Sequence, residues 1–90
     1  MKLDVTSVTN ENAATLLERG IAAIRAGDLT IDLDGVSTVD SAAVALLLAW
    51  QRAAAGQGKR LTFSGIPPGL ASLADLYGVN GLLQLGSGAA

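Results

Sequence analysis

The stretch that decides the fold is IDLDGVSTVDSAAVALLLAW, residues 31–50. Leu29, Ile31 and Leu33 project one way while Thr30, Asp32 and Asp34 project the other, the period of a strand buried on one face only. Asp34-Gly35 ends that strand. Asp40-Ser41 then opens a long apolar segment, DSAAVALLLAWQRAAAG, with an oxygen-bearing side chain where a helix start needs one and Gly56-Gln57-Gly58 where the helix stops. A strand followed closely by a helix is the repeating unit of a parallel α/β layer.

Working outward, the rest of the chain repeats the alternation. In residues 1–8, Leu3, Val5 and Ser7 alternate with Lys2, Asp4 and Thr6, which predicts a first strand with the former set inward. Residues 10–26 carry Ala13, Leu16, Leu17, Gly20, Ile21 and Ile24 at helical spacing, with Glu11 in the first turn, Arg25 in the last and Gly27 as a left-handed stop. Residues 59–64 alternate again, with Leu61 and Phe63 inward. Pro67-Pro68 suits a helix start, Leu70, Leu73, Ala74 and Tyr77 supply its buried stripe, and Gly78 ends it. Residues 82–85 read as a short last strand and residues 86–90 as a flexible tail. The expected order is β-α-β-α-β-α-β: an α/β domain with a mostly parallel four-stranded sheet. Because the strands are polar on one face, the helices are expected to pack mainly on the other.

Composition narrows the functions. Ninety residues make one domain, residues 1–90. Half of them are hydrophobic, yet there is one Phe, one Trp and one Tyr, so the core is aliphatic, with little room for a deep ligand pocket. A net charge of -2 with six scattered basic residues gives no basic stripe for nucleic acid. The chain has no Cys and no His, which removes thiolate and imidazole chemistry, so no enzyme activity, metal or cofactor is expected. Its longest apolar run, residues 42–50, is too short to cross a bilayer, and no signal peptide is evident. The expectation is a cytoplasmic protein without direct membrane insertion.

Three local features are candidate sites. Asp32 and Asp34 share a strand face, as a paired-carboxylate site requires, but no third ligand or orienting base accompanies them and a solvated face accounts for them. Gly56-Gln57-Gly58-Lys59 lacks the spacing of a phosphate loop and follows a helix rather than a strand, so it reads as a stop and turn. Asp40-Ser41 has two compatible readings: a helix cap, or an exposed hydroxyl at a helix N-terminus where the dipole favours a phosphate or an acceptor group. At about 100° per residue, Ala43, Leu46, Leu47, Trp50 and Ala54 share one side of this helix and Ser41, Val44, Ala45, Leu48 and Arg52 the other. The first set suffices as a core stripe. The expectation is therefore an outward apolar patch at Val44 and Leu48, rimmed by Gln51 and Arg52, that either meets a partner protein or lies under a loop or the tail, the partner being favoured because the chain has few residues to spare for a cover.

The run IDLDGVSTVDSAAVALLLAW, followed by GKRLTFSGIPPGLASLADLYGVNGLL, resembles a STAS domain, and the short chain with its Ala/Leu-rich second helix most resembles the MlaB-like subgroup. That resemblance implies a non-enzymatic cytoplasmic accessory subunit, peripheral to the inner membrane through its partner, that binds the ATPase subunit of a phospholipid-trafficking ABC transporter maintaining outer-membrane lipid asymmetry. With the outward patch read from the helix, the resemblance puts the partner surface at Thr38, Asp40, Ser41, Val44, Ala45, Leu48 and Arg52. The alternative branch it resembles is the anti-sigma factor antagonists, in which a partner kinase phosphorylates the serine of the Asp-Ser pair, here Ser41. Two departures favour the transporter branch: Ala43 stands where antagonists usually carry glycine, and one strand precedes the first helix where they usually have a hairpin.

Overall fold

The computed structural model describes residues 1–78. Short parallel strands are built around one stretch, residues 30–39, in which β2 (Thr30–Asp32) and β3 (Thr38–Val39) are separated by a turn. On one edge lies the N-terminal segment. Leu33 N–H donates to the Ser64 carbonyl at 2.8 Å on the other edge, where β4 (Thr62–Ser64) pairs with β2 in the register Ile31 to Phe63. The N-terminal segment bridges first at Lys2 to Asp32 and then, as β1 (Ser7–Val8), pairs with β3 in the register Val8 to Val39.

The arrangement differs from the expected single four-stranded sheet. The described residues form four strands in two parallel pairs, β1-β3 and β2-β4, with the Lys2 to Asp32 bridge between them. β3 leaves no mark in the sequence, because two residues carry no periodicity and its pairing is set by a distant segment. The strand expected at residues 82–85 and the tail at 86–90 lie outside the described residues.

The N-terminal strand also changes phase. Leu3 is buried as expected, but at the far end it is Val8, not Ser7, that enters the core. The break falls at Thr6, where the chain bends and the carbonyl accepts from both Ser37 N–H, at 2.8 Å, and Thr38 N–H, at 3.1 Å, of a segment distant in sequence. Two residues of the 37–38 segment thus oppose one of the N-terminal segment, a bulge that interrupts the ladder between them.

The apolar strand faces behave as the alternation predicts. Ile31, Leu33 and Leu61 are buried and Phe63 packs against the core. Thr30, Thr62 and Ser64 are exposed on the opposite face, so the helices gather on one side.

Helix α1 (Ala13–Arg25) starts later than the periodicity suggests. Residues 9–12 form a turn in which Asn12 N–H and Ala13 N–H both donate to the Thr9 carbonyl, so Glu11 precedes the first helical turn rather than lying in it. Asn12 fixes this lead-in, its Oδ1 accepting from Thr9 N–H and its Nδ2 donating to the Ser7 carbonyl. The helix closes at Gly27, whose φ of 97° is costly for any residue with a Cβ.

Helix α2 (Ser41–Gly56) lies against α1 on one flank and α3 (Pro68–Leu76) on the other. The α1 contact is keyed by Trp50, fully buried, whose indole N–H donates to the Leu17 carbonyl at 3.1 Å. The ring sits where Gly20 leaves space, and a Cβ added at Gly20 would stand 2.0 Å from Trp50 Nε1. Gly20 is therefore a packing glycine, sized for the indole.

Two exposure expectations are corrected here. Val44, read as outward, is 3% exposed and belongs to the core. Val44 and Gln51 lie two turns apart on the flank away from α1, and Gln51 is half-buried, so α2 presents a narrower outer face than a helix packed on one side only would. Tyr77, read as part of the α3 stripe, is 52% exposed because the helix ends at Leu76; Leu70 and Ala74 carry the burial.

Candidate functional site

The start of α2 is fixed by Asp40. Its backbone is extended, and its side chain turns back so that Oδ1 accepts from Ala42 N–H at 2.8 Å. Oδ2 accepts from Asn10 N–H at 3.2 Å, in the lead-in to α1. One carboxylate therefore caps α2 and ties it to the neighbouring loop, satisfying a backbone donor that a helix start leaves without an intrahelical partner. Asp40 N–H donates in turn to the Val8 carbonyl at 3.3 Å, which joins the cap to β1.

Of the two readings of Asp40-Ser41, capping thus belongs to Asp40. Ser41 is the first residue of the helix and is exposed. Ala43 is fully buried, so its methyl group fills the core and does not narrow the approach to Ser41. Thr38 is exposed on β3, just ahead of the cap.

Along α2, Ser41, Ala45 and Arg52 are exposed and Leu48 and Ala49 are half-buried. Leu48 packs its inner edge on the core. Of the seven residues read from sequence, the structure brings Thr38, Asp40 and Ser41 together at the helix start and strings Ala45, Leu48 and Arg52 down one stripe. Val44 is not part of that stripe. The surface is small-residue rich and shallow, with a single cation near its far end.

Beside the stripe runs an apolar groove of about 280 Å³ between α1 and α2, lined by Ala13, Ala14, Leu17, Ala42, Ala45, Leu46 and Ala49. The α1 residues of this groove were not singled out from sequence. A signal existed in Ala42, Ala45 and Ala49, spaced for one helix edge, but which helix faces that edge is a tertiary fact.

The other sequence candidates have structural roles. Asp32 Oδ1 accepts from Asp34 N–H at 2.9 Å, shaping the turn after β2, and a Cβ at Gly65 would meet Asp34 N at 2.7 Å. Among the described residues no group of His, Cys, Asp or Glu is arranged to hold a metal ion. Gly58, with φ of 71°, turns the chain after α2, as its place in the sequence predicts. A second cleft, lined by Asp34, Ser37, Gly65 and the Pro67-Pro68 start of α3, opens near the carboxyl ends of β2 and β4. Pro68 supplies no N–H there, so this helix start is poor in donors for an anion.

The carboxylates with displaced pKa lie elsewhere. Asp4 is held below the usual carboxylate value by a hydrogen bond from Arg19 and by its charge, and Asp28 by a hydrogen bond from the amino group of Met1 and then one from Thr30 N–H. Among the described residues no helix is long and apolar enough to cross a membrane.

Residues 2–84 match the family described as Mlab, STAS domain. No curated protein matches the chain.

Proposed function

Because this chain belongs to the STAS domain family, in its MlaB-like branch, we propose that it is an adaptor that binds and regulates or stabilises the ATPase subunit of a phospholipid-trafficking ABC transporter. The family supports a protein-interaction role, and its members are generally non-enzymatic binding modules. The match over residues 2–84 to the Mlab description is the observation that carries the transporter reading. On this reading the protein sits at the inner membrane through its partner.

The docking surface is the α2 stripe and the segment before it: Thr38, Asp40, Ser41, Ala45, Leu48 and Arg52. Val44 lies outside this surface because it is buried. Small side chains at Ala45 and Ala49 let a partner's backbone or a broad apolar side chain approach the helix closely, while Leu48 supplies apolar area and Arg52 a charge at the rim. Asp40 acts through the cap, holding Ser41 and Thr38 in place.

The test is titration calorimetry of the chain against the nucleotide-binding subunit of a phospholipid-trafficking ABC transporter from the same organism. Ala45→Arg, an exposed change on a helix that leaves the core intact, is expected to weaken binding by at least about 30-fold, the effect of a hot spot of ~2 kcal/mol. Equal affinity for wild type and Ala45→Arg would sink the surface. Absence of any binding to that subunit would sink the transporter reading itself.

A second reading, an anti-sigma factor antagonist switched at Ser41, is supported by the exposure of Ser41 at the first position of α2, where the helix dipole stabilises a phosphate. It requires a cognate kinase to transfer phosphate to Ser41. Failure of Ser41→Ala to abolish that transfer, or no transfer at all, removes it.

A further inference from the structure

We draw no further inference here: the strongest candidate, the apolar groove between the N-terminal halves of α1 and α2 floored by Leu17 and Leu46, adjoins the docking stripe already described, and nothing in the structure shows what covers it.

Discussion

Val44 and Ala45 are neighbours on α2, both apolar, and the structure treats them oppositely: Val44 is 3% exposed and Ala45 lies open to solvent. The first three turns of the helix are apolar almost all round, so sequence periodicity alone marks no sharp border between core and interface. The border is drawn by neighbours. With α1 on one flank and α3 on the other, α2 keeps a narrow outer stripe, and Val44 falls on the core side of its border. On the proposed docking surface, a helix flanked on both sides offers a partner few residues, so each exposed side chain on the stripe counts more.

The largest expected effects lie on the inner side of that border. Trp50→Ala removes a fully buried indole and its hydrogen bond to the Leu17 carbonyl, and is expected to cost about 3–5 kcal/mol, measured by urea denaturation. Gly20→Ala tests the same contact from the α1 side. The added methyl stands well inside the indole, so a loss of about 1–3 kcal/mol is expected in the wild-type background and a much smaller loss in a Trp50→Leu background. Equal losses in both backgrounds would mean that Gly20 matters for another reason.

The border itself is tested by Val44→Ala against Ala45→Ser. Truncating a buried Val leaves a cavity and is expected to cost on the order of 1–3 kcal/mol, whereas the exposed Ala45→Ser is expected to stay within about 0.5 kcal/mol. For binding the ranking reverses. Ala45→Arg is expected to abolish most partner affinity without moving the denaturation midpoint far. If Val44 and Ala45 prove equally tolerant in stability, the assignment of Val44 to the core is wrong.

Much of the fold was legible because its signals are local. Gly27, Gly58 and Gly78 mark helix stops that need no knowledge of tertiary neighbours, and all three have positive φ. The alternation of Leu29 to Asp34 identified the buried face of β2 for the same reason. What is not legible depends on distant partners: β3 exists because Thr38–Val39 meets Ser7–Val8, and the inward turn of Val8 comes just past Thr6, where the ladder to the 37–38 segment is interrupted. In the candidate site the start of α2 was legible, since Asp40 is a strong cap type, but its width was not. Val44 and the α1 wall of the groove are set by which helices pack beside α2.

The cap joins the inner and outer regions and should give an intermediate effect. Asp40→Ala removes both the bond from Ala42 N–H and that from Asn10 N–H, and is expected to cost about 0.5–2 kcal/mol. Asp40→Asn keeps an acceptor for Ala42 N–H and should recover most of that stability. If the cap positions the docking surface, Asp40→Ala also weakens partner binding at temperatures where the domain is fully folded. Unchanged affinity under those conditions would confine Asp40 to a structural role.

The smallest effect is expected where charge sits farthest from the core. Asp4 and Arg19 form an ion pair at 3.0 Å with both side chains exposed, Asp4 the more so, and the pair lowers the Asp4 pKa. A carboxylate whose pKa is depressed on folding adds stability above its unfolded pKa and loses it as pH falls through the folded value. The contribution is therefore present at neutral pH and fades in the acid range below the ordinary carboxylate value. Because the pair is exposed, water and salt screen it strongly. Asp4→Asn should leave the neutral-pH melting temperature almost unchanged and slightly flatten the fall in stability on acidification, a difference that disappears in about 1 M salt, where the screening length is near 3 Å. A large, salt-insensitive loss at neutral pH would instead place Asp4 among the structural carboxylates, beside the Asp40 cap.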